Sequence, residues 1–147
     1  EIVRHVEAVV RAGIPVLGHI GLTPQDVLQM GGYRVQGRSP KAAGKLLDDA
    51  RSLADRGVFA IVLECVPSAL AAKITEAVDI PTIGIGAGPH CDGQILVLHD
   101  ILGMYAGRPA RFVKRYADIG KSMRQAVARY AEEVRKGVYP DEEHSYE

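Results

Sequence analysis

The stretch VFAIVLECVP, Val58 to Pro67, decides how this chain is built. Its opening VFAIVL is apolar without a break and rich in branched side chains, with no polar alternation. A strand with one wet face alternates, whereas a parallel strand covered on both faces reads as a continuous apolar run. The run is also too short for a helix. Val58–Leu63 is therefore expected to be a parallel strand in a sheet covered on both sides, and Glu64 follows it at once.

Working outward, similar units appear on either side. Upstream, Ser39 followed by Pro40 is a helix start, and Ala42, Ala43, Leu46, Leu47, Ala50, Leu53 and Ala54 form a wide apolar face up to Gly57. Before it, EIVRHVEAVVRAG has helical periodicity with Gly13 as its stop, and Ile14–Leu17 reads as a short strand bounded by Pro15 and Gly18. TPQDVLQMGG reads as a short helix capped by Thr23, and Tyr33–Arg38 as irregular. Downstream, Pro67 and Ser68 open a helix through Val78, and Ile80–Ile85 is a third strand running into GIGAGP. Asp92–Gly103, Arg111–Ala117 and Lys121–Lys136 are expected to be helical, and the tail DEEHSYE loosely held.

Helix and short apolar strand alternate three times without hairpin signals, the pattern of βα units on a parallel sheet. The expectation is an α/β fold in one domain over residues 1–147. Three strands suit either a small open sheet or the later part of a (β/α)₈ barrel, which needs about 250 residues.

Composition narrows the function. Eighteen basic residues balance eighteen acidic ones, and no basic stripe interleaves with aromatics, so nucleic acid is not an expected partner. No apolar run approaches the roughly 20 residues of a membrane span. Cys65 and Cys91 stand apart without CxxC or His-rich spacing, which reads as two free thiols.

In parallel α/β folds, chemistry gathers beyond the carboxyl ends of the strands, where loops vary over a fixed frame. Those ends deliver His19, Glu64 and the glycines at 84, 86 and 88. A carboxylate straight after apolar residues should be largely buried, and a buried carboxylate needs a partner or a task. A dehydrated carboxylate is a stronger base; the bland alternative for Glu64 is a structural ion pair. For His19 it is a hydrogen-bonded core imidazole. GIGAGP lacks the full GxGxxG pattern opening a helix and has no Walker lysine, so sharp turning and close backbone approach explain its glycines as well as phosphate binding does. His90, Cys91 and Asp92 are adjacent and point in different directions, which argues against a metal site there. The tyrosines at 105, 116, 130 and 139 read as packing residues on helices.

Taken in order, GHIGLTPQ, GGYRVQGR, LECVP, IPTIGIGAG, DGQILVLHDILG and GVYPDEEHS make the chain resemble the ketopantoate hydroxymethyltransferase family over its whole length, as the C-terminal half or slightly more. The resemblance implies a (β/α)₈ TIM-type barrel whose earlier strands precede Glu1, followed by C-terminal surface helices. It implies transfer of a one-carbon unit from 5,10-methylenetetrahydrofolate to α-ketoisovalerate, giving ketopantoate on the route to pantothenate and coenzyme A. By position, Glu64 matches the family's proton acceptor, and His19 matches a histidine lining the substrate pocket. Mg²⁺ is the implied cofactor, with its ligands expected in the earlier strands and none in this chain, so the 147 residues alone are expected to be inactive. A cytoplasmic homo-oligomer, a decamer, is implied as well, with the earlier portion of the barrel as a further partner if it is a separate piece.

Two other readings stay open. One is a Mg²⁺-dependent keto acid barrel of the phosphoenolpyruvate mutase and isocitrate lyase kind, although that lyase group's cysteine signature is missing. The other is a noncatalytic α/β module holding a nucleotide on the Gly84–Gly88 loop. The position of Glu64 relative to His19 separates them: one shared pocket favours an enzyme, and an arginine partner on the outer face disfavours it.

Overall fold

A computed structural model describes residues 2–26, 34–105 and 107–147. Residue contacts divide the chain into two compact units, Glu1–Ile95 and Leu96–Glu147.

The first unit opens with helix α1 (Ile2–Arg11), then β1 (Leu17–Gly21), α2 (Pro40–Ala54), β2 (Ala60–Glu64), α3 (Ser68–Glu76), β3 (Thr82–Ile85) and β4 (Gly93–Gln94). All strand pairs are parallel, and their order in the sheet is their order in the sequence. A doubly wound sheet reverses direction at a switch point; a sheet that keeps adding the next strand on the same side curls toward a barrel. The fold is thus α/β, with the winding of a (β/α) barrel.

Local chemistry explains the best-defined elements. Ser39 sits in extended backbone and its Oγ accepts from the amide of Ala42 at 3.2 Å, while Pro40 presets the first turn of α2. Beyond the helix, Gly57 supplies a φ of +80° that turns the chain back toward β2. Paired residues project to the same side of a sheet, so the register sorts the strands into two faces. One face carries Ile20, Ile61, Leu63 and Thr82. Ile61 and Leu63, both fully buried, pack with Ala50 and Leu53 of α2 and Leu70, Ala71 and Ile74 of α3. The other face carries Leu17, His19, Val62, Glu64, Ile83 and Ile85.

Several expected elements fall elsewhere. β1 begins at Leu17 rather than ending there, because pairing starts at Leu17 opposite Ala60 and Pro15 upstream has no amide to donate. Gly18 does not end the strand: a Cβ there would lie 3.1 Å from Leu53 Cδ1, so glycine lets α2 close onto β1. The face of β1 holding Leu17 and His19 is exposed rather than covered. Gly93–Gln94 forms a fourth strand where a helix from Asp92 was expected; its pairing is backbone only, extended by the Ile95 amide to the Gly84 carbonyl at 3.0 Å. Of the helix expected from Thr23, only a short 3₁₀ turn over Pro24–Asp26 is described, and the rest lies outside the described residues.

In the second unit, helix α4 is a single turn (Leu98–Ile101), and α5 (Ile119–Arg135) is capped by Asp118, whose side chain accepts from the Lys121 amide. Met123, Val127, Tyr130 and Val134 along α5 are exposed, so α5 is the expected surface helix. Arg111–Ala117 is not helical: the Val113 amide closes only a turn onto the Ala110 carbonyl, and the Tyr116 amide goes to the Ile101 carbonyl. The tail is more ordered than its composition suggested. Asp141 caps a 3₁₀ turn over Glu142–His144, and hydrogen bonds from His144 hold its carboxyl below the usual carboxylate range.

Candidate active site at the carboxyl end of the sheet

Glu64 is the last residue of β2 and His19 the middle residue of β1. Since His19 pairs with Val62, Glu64 lies one diagonal step away on the same face, within reach of a side-chain contact. His19 Nε2 and Glu64 Oε2 are 3.0 Å apart. The Glu64 side chain is 15% exposed and that of His19 35%, so Glu64 is mostly covered while the imidazole stays open to a ligand. The pair faces away from the helix-covered core. No arginine shares the carboxylate among the described ion pairs.

The chain turns immediately past Glu64. The Glu64 carbonyl accepts from the Leu22 amide at 2.9 Å, the Cys65 amide donates to the Ile85 carbonyl at 2.9 Å, and the Cys65 carbonyl accepts from the Gln36 amide at 2.8 Å. The ends of β1, β2 and β3 are thereby tied together around the carboxylate. Burial, and then the charge of Glu64, push the Cys65 thiol up, so it remains protonated and a weak nucleophile near neutral pH. Nothing in the sequence signalled this turn; cysteine has no preference for it.

The Gly84–Gly88 loop does not enter a helix, the context a phosphate-binding motif requires. Its glycines are used for packing. A Cβ on Gly88 would lie 2.3 Å from Ser68 Oγ, and one on Gly84 about 3 Å from the Gln94 amide and Cys91 sulfur. Gln94 Nε2 also donates to the Gly88 carbonyl at 2.9 Å. The nucleotide-binding alternative therefore loses its support.

At the other end of the sheet, Asp92 closes a small network. The Thr82 amide and hydroxyl donate to Asp92 Oδ2 at 2.8 and 3.0 Å, and Thr75 Oγ1 lies 2.8 Å from Thr82 Oγ1. The Thr82 amide, and after it the hydroxyl, hold the Asp92 carboxyl below its ordinary range. Cys91 is a free thiol, as is Cys65. A cleft of about 410 Å³ lined by Glu7, Val10, Arg11, Asp55 and Arg56 also lies at the strands' amino ends, with Glu7 reaching both arginines. It is remote from Glu64, and barrel chemistry belongs to the opposite end.

The described residues contain no group of three or more His, Cys, Asp or Glu that could hold a metal ion. Mg²⁺ requires several oxygen donors fixed together, and one carboxylate with an imidazole does not meet that requirement. The described residues do not by themselves make a Mg²⁺ site.

A parallel sheet wound in sequence order, with a His–Glu pair at the carboxyl ends on the face opposite the α2 and α3 packing, defines the class: a (β/α) barrel protein with its polar site where barrel enzymes keep theirs. Comparison with known proteins narrows this. Residues 1–142 match the profile of ketopantoate hydroxymethyltransferase. The 3-methyl-2-oxobutanoate hydroxymethyltransferase of Carboxydothermus hydrogenoformans is 60% identical over 146 residues, covering 99% of this chain and 53% of the relative. Enzymes of the same name from Pyrobaculum islandicum and Thermus thermophilus are 60% and 51% identical, over 95% and 99% of this chain and 53% and 56% of their own lengths. The chain belongs to the ketopantoate hydroxymethyltransferase family. It spans about half the length of the curated relatives it matches.

Proposed function

We propose that the protein to which these residues belong transfers a hydroxymethyl group from 5,10-methylenetetrahydrofolate to α-ketoisovalerate, with Glu64 as the base. The observation that carries this is the mostly covered Glu64 side chain, whose carboxylate is held 3.0 Å from His19 at the strand ends. The imidazole N–H donates to one carboxylate oxygen, fixing its orientation and leaving the other free for the substrate. Glu64 takes the proton from C3 of the keto acid, and the electron pair left at C3 attacks the one-carbon unit. A carbon–carbon bond forms, both carbon–nitrogen bonds of the donor break, and one water supplies the hydroxyl. The C3 proton and the remaining water proton end on the two folate nitrogens.

Mg²⁺ and the folate belong to the proposal as requirements of the whole reaction, and the 147 residues alone are proposed to be inactive. The chain is proposed to act as part of one barrel domain in a cytoplasmic homo-oligomer. No described helix is long and apolar enough to cross a membrane.

The test is proton exchange at C3 of α-ketoisovalerate, followed by NMR in D₂O, with the intact protein and its Glu64→Gln variant. Loss of a general base should slow exchange by about 10²–10⁴-fold with keto acid binding retained. Unchanged exchange removes Glu64 from the mechanism.

A further inference from the structure

Among the described residues, Cys65 is the only one other than glycine with a positive φ, at +49°. A residue with a Cβ enters this left-handed region against steric crowding and stays only where its surroundings enforce it. Here they do, from both sides of the peptide. The Cys65 amide is committed to Ile85, its carbonyl to Gln36, and the preceding carbonyl of Glu64 to Leu22. On the other side Gly21, at φ +97°, lies so close that a Cβ would fall 2.2 Å from the Glu64 carbonyl oxygen and 2.9 Å from Val66 Cγ1. The chain must leave β2 sharply while Glu64 keeps its strand orientation, and the left-handed step at residue 65 meets both demands.

We propose that Cys65 is a positioning residue whose left-handed backbone, and not its sulfur, holds the Glu64 carboxylate against His19 for proton removal. This rests on the reading of Glu64 as the base. Glycine, which enters the same region freely, should replace Cys65 without loss; a β-branched residue should not.

The experiment compares Cys65→Gly, Cys65→Ala and Cys65→Val in the intact protein. It reads C3 exchange of α-ketoisovalerate, resolved into turnover and KM, and the ¹⁵N NMR signals of the His19 imidazole, with Glu64→Gln as the reference for a lost contact. Cys65→Gly should keep turnover within about twofold and wild-type imidazole signals. Cys65→Val should lower turnover by about 10²-fold, the cost of a misplacement near 1 Å, at unchanged KM, with imidazole signals moved toward those of Glu64→Gln. Cys65→Ala, which keeps the Cβ and loses only the sulfur, should also stay within about twofold of wild type. If the valine variant does not fold, glycine and alanine decide, and a loss of turnover in either overturns the proposal. It is equally overturned if all three match wild type, or if exchange falls while the imidazole signals stay put. Should wild type catalyse no exchange, the base reading fails on its own. The imidazole signals then still test the positioning: glycine matching wild type with valine displaced supports it, and any other pattern overturns it.

Discussion

Replacing Thr82 by valine should separate what holds this fold from what performs its chemistry. Thr82 is fully buried at the start of β3. Its hydroxyl has one proton, which goes to Asp92 Oδ2 at 3.0 Å, so Thr75 must be the donor in the 2.8 Å contact between the two threonines. Valine keeps the shape and removes these two bonds together with the longer one that the hydroxyl accepts from the Asp92 amide at 3.4 Å, while the Thr82 amide still reaches Asp92 at 2.8 Å. The two short bonds at roughly 0.5–1.5 kcal/mol each, offset by about 0.8 kcal/mol for an added methyl, leave a loss of up to about 2 kcal/mol. Urea denaturation should show a lowered midpoint at unchanged slope. A pH series adds a sharper check. Asp92 is held below its ordinary value by these donors, so its contribution is present above the unfolded aspartate value of about 3.9 and lost as pH falls through the folded value. The gap between wild type and variant should therefore be full at neutral pH and shrink below about pH 4. Because Thr82 lies at the amino end of its strand, C3 exchange per folded molecule should not change. A gap independent of pH, or reduced exchange at unaltered stability, would refute the reasoning.

Gly21→Ala should destabilise by at least about 2 kcal/mol, combining left-handed strain with a collision against the Glu64 carbonyl. Gly13→Ala, at φ +79° with nothing nearby, should cost only about 1 kcal/mol, and thermal melts that reverse this order would contradict the close approach of β1 to β2. Ser39→Ala should cost about 0.5–2 kcal/mol by removing the cap on the Ala42 amide, with Ser39→Asp restoring it in the same melts.

These perturbations also mark what could be read from sequence. The α2 cap was legible because Ser39 and Pro40 act on the turn that contains them, and β2 because a strand buried on both sides leaves an unbroken apolar record. Glu64 stood out as a charge against that record. β4 left none: Gly93 and Gln94 contribute backbone, and backbone pairing has no side-chain signature. The start of β1 was misplaced for a related reason. Gly18 and Gly21 look like turn residues in isolation, yet one admits Leu53 and the other the Glu64 carbonyl, both from distant segments. Arg111–Ala117 has helix-compatible residues, but the Tyr116 amide is claimed by the Ile101 carbonyl instead of a helical partner. Both halves of the His19–Glu64 pair could be named from the sequence, but their contact could not, because it follows from register. A slip of one residue would turn His19 to the helix-covered face and leave Glu64 without it. The glycine at 21 and the left-handed residue at 65 bear directly on that register, since each governs how closely the end of one strand meets its neighbour. The residues that identify the site and those that assemble it are therefore different, and only the first kind announces itself by its chemistry.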